Sequence, residues 1–207
     1  KHGLAEDVFD LVGKVDLSLK GVEELLNELL DICKLDAGAM KPTIRDFALG
    51  DVLGALETEF GPVAEHAGLS FKVHKRDLWV RSDSRLLRRI LQNFISNAMR
   101  YTRSGGAVVG CRVRGDHVRV EVWDSGPGIP EDKLKIIFRE FHRLEGPETT
   151  DVKGLGLGLA IVERLGRSLD HAVSVRSRPG RGTVFSVDVP LGIAAPQTAP
   201  KPKRRMA

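Results

Sequence analysis

Two runs of alternating side chains, at 107–114 and 118–124, are joined across Gly115 and Asp116. That spacing predicts a β-hairpin, and an antiparallel pair with one apolar face commits the chain to a sheet that something must cover. The flanking patterns supply the cover. Helical periodicity is expected over 52–66, with Pro62 kinking or dividing it, and over 84–100, with Ser82 or Asp83 as cap. Short strands are expected at 43–47, 69–74 and 78–81, a short helix at 131–138 and an irregular stretch at 142–153. A helix at 157–168 follows, then strands at 172–177 and 182–189 across a turn at 179–182. Helices and antiparallel strands that do not strictly alternate indicate an α+β sheet with helices on one face.

The first forty residues follow a different rule. Apolar side chains recur at Leu4, Val8, Leu11, Val15, Leu19, Val22, Leu26, Leu29 and Cys33 in steps of three and four. This is a helix with a narrow seam that seeks a partner helix, or one that folds back on its own domain. Gly13 and Gly21 each weaken it by about 1 kcal/mol relative to alanine, so packing must stabilise it. Gly38 and Pro42 end it.

With 207 residues, the chain holds one well-buried domain plus an appendage. Its longest apolar run, around 155–162, is too short to span a bilayer, and no signal peptide is recognisable. Cys33 and Cys111 lack CxxC spacing, so neither disulfide framework nor zinc site is expected and a reducing, cytoplasmic setting fits. Part of the net charge of +4 lies in Lys201, Lys203, Arg204 and Arg205 beside prolines, which reads as a solvated tail over 191–207 rather than a nucleic-acid site. The start at Lys1 suggests a fragment or processed product.

Three segments carry chemistry. Asn93 and Asn97 stand one turn apart on one helix face, with Arg100 and Tyr101 a further turn on. An amide oxygen is a hard neutral ligand suited to Mg²⁺ and a guanidinium reaches phosphate, although two asparagines taken alone are more often helix-surface or buried hydrogen-bonding residues. Asp124 is followed by Ser125, Gly126, Pro127, Gly128 and Ile129, which sets a carboxylate beside backbone free of bulky side chains. Such an acceptor takes the amino proton of a base such as adenine; a tight turn with an Asx cap satisfies the same residues. Gly154, Gly156 and Gly158 punctuate the entry to the helix at 157–168, where unpaired N–H groups and the helix dipole favour phosphate. No Gly-Lys-Ser/Thr follows, and Leu159 stands where GxGxxG needs its last glycine, so this is neither a Walker A loop nor a dinucleotide fingerprint.

Order and spacing sharpen the reading. Asn93-Phe-Ile-Ser-Asn97-Ala-Met-Arg100-Tyr101-Thr102 resembles the N box of sensor histidine kinases, and Asp124-Ser-Gly-Pro-Gly-Ile129 resembles their first glycine box. Phe138-Arg-Glu-Phe141 looks like the F box, Gly154-Leu-Gly-Leu-Gly-Leu159 the second glycine box, and Gly180-Arg-Gly-Thr183 the terminal one. The resemblance implies a GHKL-type ATPase domain of Bergerat fold over 43–190. This is a two-layer α/β sandwich whose mixed, mostly antiparallel sheet is covered on one face, as in gyrase, mismatch-repair ATPases and heat-shock chaperones. It implies that Asn97 ligates Mg²⁺, that Asn93 supports metal and phosphates, and that Arg100 and Tyr101 line the phosphate and ribose side. Asp124 would read the adenine amino group, with Gly126, Gly128, Ile129 and Thr183 around the ring. Phe141 and the stretch Gly154, Leu155, Gly156, Leu157 and Gly158 would complete the ATP pocket, and Arg143 and Lys153 in a mobile lid would reach the terminal phosphates as catalytic cations. Lys153 and Leu155 depart from the Gly and Ser/Thr often found in the second glycine box, so only backbone contacts to phosphate are expected there.

Leu29-Leu-Asp-Ile-Cys-Lys-Leu-Asp-Ala-Gly38 looks like the end of the second helix of a dimerisation and phosphoacceptor hairpin, implying an incomplete hairpin over 1–40. The acceptor box, His then Asp/Glu and Arg-Thr-Pro, has no match; His2 precedes Gly3 and Leu4. The implied activity is two-component signal transduction: ATP-dependent phosphorylation of a histidine outside this chain. The implied partners are that phosphoacceptor helix, a response regulator receiver domain and a second copy of the parent, which could be membrane-anchored; no nucleic acid is expected. A degenerate module that holds nucleotide without transfer, a gyrase-like ATPase and a serine kinase acting on an anti-sigma partner use the same pocket. The F box and the preceding helix favour the histidine kinase.

Overall fold

The computed structural model describes residues 32–142 and 156–194, together with Leu11, Val15, Leu19, Val22, Glu23, Leu26, Leu29 and Leu30. Seven strands and three helices follow the N-terminal helical segment among these residues: β1 (Arg45–Ala48), α1 (Leu49–His66), β2 (Ser70–Val73), β3 (Trp79–Ser82), α2 (Ser84–Tyr101), β4 (Gly106–Arg114), β5 (His117–Asp124), α3 (Gly158–Leu169), β6 (Val173–Arg178) and β7 (Gly182–Pro190). The main sheet has the order β2-β4-β5-β7-β6. Only β2 and β4 pair in parallel; the hairpin β4–β5 forms as expected, with Arg114 opposite His117. β1 and β3 make a separate antiparallel ribbon.

Alternation decides the two faces. Val118, Val120 and Val122 of β5 register with Val189, Val187 and Phe185 of β7, and all six are buried. Against them lie Leu87, Ile90, Leu91, Phe94 and Ile95 of α2, spaced at three and four residues, with Phe94 stacked on Phe185 at 5.1 Å between ring centres. Leu53 and Leu56 of α1 and Ile161 and Leu165 of α3 complete one core. The opposite sheet face carries polar partners: Arg119 forks onto Asp188 at 2.7 and 2.6 Å, and Glu121 receives Arg112 at 2.6 Å and Arg176 at 3.3 Å.

Two expectations are corrected. Pro62 does not divide its helix: α1 runs unbroken to His66, because Pro62 lies on the exposed side while Leu53, Leu56 and Ala64 are held in the core. The helix expected at 131–138 is a single 3₁₀ turn, Glu131–Lys133, followed by turns. It begins at Pro130 without a side-chain cap, and bonds such as Leu134 N–H to Glu131 O close three residues apart.

The N-terminal segment divides between its two readings. Leu29 and Leu35 pack on the core and Ile32 is buried within it, so the last turns fold back on the domain. Leu11, Val15, Leu19, Val22, Leu26 and Leu30 are helical and more than half exposed. Cys33, the last residue of the predicted seam, is exposed, and its neighbour Ile32 is buried instead.

Asp83 starts α2. Its Oδ1 accepts from the N–H groups of Arg85 and Leu86 at 3.0 and 3.3 Å, and its Oδ2 accepts from Thr43 N–H at 2.8 Å, which ties the start of the domain to the helix. Burial pushes this carboxyl up, but the N–H groups of Thr43, Leu86 and Arg85 and the Arg85 guanidinium outweigh it and hold it below its ordinary value. The stabilisation is therefore present above pH 3.8 and is lost as pH falls through the lowered value. Asp83→Ala is expected to cost about 2 kcal/mol at pH 7, at the upper end for a cap because a second segment depends on it. Urea unfolding measured down the pH scale should show the gap to wild type narrowing only below pH 3.8.

Candidate functional site

Asp124 ends β5, the central strand of the sheet. Its Oδ1 accepts from Gly126 N–H at 2.9 Å and from Thr183 N–H at 3.1 Å, leaving Oδ2 outside both bonds. Burial raises this carboxyl above its ordinary value even though both N–H groups pull it down. The chain has thus placed a carboxylate where ionisation is disfavoured until something complements its second oxygen.

The first glycine segment closes onto the β6–β7 turn. Gly128 has φ +74°, and a Cβ there would stand 2.2 Å from the Arg178 carbonyl oxygen, so the two loops meet backbone to backbone. Ile129 N–H donates to Ser177 Oγ at 2.7 Å, and Ser177 Oγ lies 2.9 Å from Thr183 Oγ1. Ser177 is thus the pin between the two turns. No motif pointed to it; the signal was its register opposite Thr183, which requires both strands to be paired first. The end of α2 arrives from the other side: Thr102 Oγ1 and the Tyr101 carbonyl oxygen both lie 3.4 Å from a Cβ position on Gly126. Thr102 is buried and its hydroxyl has no hydrogen-bond partner, a polar group set beside the Asp124 turn that sequence reasoning had left without a role.

The asparagine helix meets the second glycine segment. Asn93 donates Nδ2 to Arg89 O at 2.9 Å, and its Oδ1 lies 2.5 Å from where a Cβ on residue 158 would stand. A Cβ there would force the Asn93 amide aside, so glycine is what lets α2 and the first turn of α3 meet in this way. That turn has no side-chain cap and no acidic residue of its own, so its N–H groups offer a positive end that no described residue caps. Leu157 is fully buried and anchors it, and Gly156 lies on the backbone of Phe141 and His142. Phe141 itself is exposed. Asn97 is half-buried one turn beyond Asn93, Tyr101 is half-buried and Arg100 is exposed. Arg143, Lys153, Gly154 and Leu155 lie outside the described residues.

Comparison with known proteins identifies the arrangement. The family described as histidine kinase-, DNA gyrase B-, and HSP90-like ATPase matches residues 82–193, from the Asp83 cap to the end of β7. The autoinducer 2 sensor kinase/phosphatase LuxQ of Vibrio vulnificus (strain YJ016) is 33% identical over 190 residues, covering 86% of this chain and 22% of LuxQ. The sensor histidine kinase RcsC of Escherichia coli (strain K12) is 29% identical over 219 residues, covering 95% of this chain and 23% of RcsC. Among solved structures, full-length ShkA in complex with AMPPNP superposes with a TM-score of 0.73 at 30% identity, covering 84% of this chain and 36% of ShkA. The catalytic domain of histidine kinase ThkA gives 0.61 at 25% identity, covering 72% of this chain and 95% of that one. The chain belongs to the histidine kinase-, DNA gyrase B- and HSP90-like ATPase family, and it spans less than a quarter of the length of LuxQ and RcsC.

The raised Asp124 carboxyl has a measurable consequence. Its favourable contribution to folding is present below the ordinary value of 3.8 and is lost as pH rises through the raised value, so at neutral pH ionised Asp124 costs the domain stability. Asp124→Asn keeps an Oδ1 acceptor for Gly126 and Thr183. The variant should unfold at higher temperature than wild type at pH 7, with the difference vanishing below pH 3.8. A variant that melts lower at pH 7 would mean that the anchored oxygen, not the buried charge, dominates.

Proposed function

We propose that this chain is the ATP-binding catalytic part of a protein-histidine kinase, transferring the γ-phosphoryl group of ATP to a histidine on a phosphoacceptor helix outside it. The reading rests most heavily on Asp124, whose Oδ1 is anchored by Gly126 and Thr183 while Oδ2 remains to accept an amino proton from adenine. Gly126, Gly128, Ile129 and Thr183 are assigned to the surroundings of the ring, on loops that the close approach of Gly128 to Arg178 holds together.

The phosphate end falls to α2 and the first turn of α3. We assign the N–H groups at 156–158 to phosphate oxygens, with Asn93, Arg100 and Tyr101 alongside and Phe141 at the rim. Asn97 would hold Mg²⁺. A donor set of side-chain amides fits that ion, which takes few protein ligands and fills its shell from phosphate and water. The Asn93 amide, committed through Nδ2 to Arg89 O, turns its oxygen toward the same turn of α3. When bound, the ion neutralises phosphate charge; catalysis by the protein is then positioning and electrostatic stabilisation. Arg143 and Lys153 are assigned to the terminal phosphates as cations, and the base for the imidazole proton to the acceptor side.

On this reading residues 1–40 are the second helix of an incomplete phosphoacceptor hairpin, 43–190 the catalytic domain and 191–207 a basic tail. His2 does not match an acceptor box, so the chain should not phosphorylate itself. A response regulator receiver domain is the expected downstream partner and a second copy of the parent the expected dimer partner. The thiols Cys33 and Cys111 are both free, as suits a cytoplasmic site of action. Among the described residues no helix is long and apolar enough to cross a membrane.

Calorimetric titration with Mg-ATP tests the pocket. Asp124→Asn should weaken binding by about ten- to a hundred-fold, the worth of a hydrogen bond to a charged acceptor, and should weaken inorganic triphosphate far less. Equal losses for both ligands would refute adenine recognition by Asp124. Asn97→Ala should stay folded and lose the magnesium dependence of binding; an unchanged Mg-ATP affinity would remove the metal assignment.

A further inference from the structure

Away from the glycine turns, one side chain joins three parts of the molecule. Arg164, on the second turn of α3, donates Nε to Asp36 Oδ1 at 2.8 Å and Nη2 to Asp36 Oδ2 at 3.4 Å. Its Nη2 also donates to Glu140 Oε1, and Nη1 donates to Ala160 O at 3.4 Å. Asp36 closes the N-terminal helix, Glu140 lies in the F box, and Arg164 shares its helix with the turn that meets Asn93. The N-terminal helix, the F box and the nucleotide helix are therefore held by a single guanidinium.

Arg164 is mostly buried, with its side chain 21% exposed, whereas Asp36 is 57% exposed and Glu140 38%. The Arg164 bond lowers the Asp36 carboxyl, and Asp36, followed by Glu140, raises Arg164. Pairs this exposed add little to stability. Their effect is directional: a fork of two N–H groups on one carboxylate fixes an angle, which the apolar contacts of Leu29, Ile32 and Leu35 with the core do not. The same helix carries the exposed apolar residues Leu11, Val15, Leu19, Val22, Leu26 and Leu30.

We propose that Arg164 is a positioning residue for phosphoryl transfer: its fork on Asp36, braced by Glu140, sets the direction in which the N-terminal helix leaves the nucleotide-binding domain, and so where the nucleotide stands relative to an acceptor packed along that helix. This inference rests on the phosphotransferase reading. Arg164 touches no nucleotide in this scheme and acts through the helix it holds.

The test uses the whole chain with Arg164→Gln, Asp36→Asn, the double variant and Arg164→Lys. Melting temperature should stay within about 4 °C and Mg-ATP affinity within about two-fold of wild type, while the rate of transfer to a separately supplied acceptor helix at saturating ATP falls about ten-fold or more. The double variant should be no slower than either single one, since both remove the same bond, and Arg164→Lys should recover part of the rate. Orientation is read without any reaction. Spin labels on Cys33 and on Val113→Cys, in a Cys111→Ala background, should give one narrow distance distribution that broadens in Arg164→Gln. Identical distributions, or transfer that survives Arg164→Gln, would overturn the role of Arg164. A wild-type chain that shows the narrow distribution and binds Mg-ATP yet transfers nothing would instead overturn the phosphotransferase reading.

Discussion

The pairing of β5 between β4 and β7 is the constraint on which the rest depends. Its odd and even positions divide the molecule, with Val118, Val120 and Val122 going into the core and Arg119, Glu121 and Trp123 on the opposite face, where Glu121 is buried beneath Arg112 and Arg176. A slip of one residue would exchange the two sets and turn Arg119 and Glu121 toward the apolar helices. The same register carries Asp124 to the end of the central strand, where Thr183 of β7 reaches it. Core and site are therefore consequences of one pairing, and Asp124 cannot be relocated without unpacking the valines that precede it.

The end of β5 shows how a tertiary arrangement can hold a group the fold alone does not favour. Asp124 is buried enough to resist ionisation, yet two backbone N–H groups fix its orientation. Nearby, the Thr102 hydroxyl is buried without a partner, and the first turn of α3 has neither cap nor acidic residue. Each is a polar liability to the fold and an opportunity for a polar ligand. They concentrate at the ends of β5, α2 and α3, the candidate site, while the opposite sheet face pairs its arginines and carboxylates.

Local signals made much of this legible. The hairpin, the α2 helix with its Asp83 cap and the β6–β7 pair follow from alternation, periodicity and turn residues lying within about ten positions of one another. The glycine and asparagine motifs marked Asn93, Asp124, Gly128 and Gly158 because each residue type is restrictive: a Cβ at 128 or 158 would collide with its neighbour. Expectations failed where a local rule met a tertiary override. Pro62 argues for a break, but the buried side of α1 keeps the helix whole; the 131–138 segment has helical residues but too few bonds to propagate.

Sequence by itself determined the class of fold, the order of its motifs and the residue types that a nucleotide pocket requires, because these depend on side-chain period and on backbone freedom at single positions. Tertiary structure decided the partners. Ser177 joins the glycine turn only once β6 has found β7, Thr102 loses its hydrogen bonds only once α2 has closed over Gly126, and Arg164 meets Asp36 across 128 residues of chain. Such contacts leave no local pattern, since neither residue constrains its own neighbourhood; they exist because the core brings distant backbone together and leaves a donor facing an acceptor.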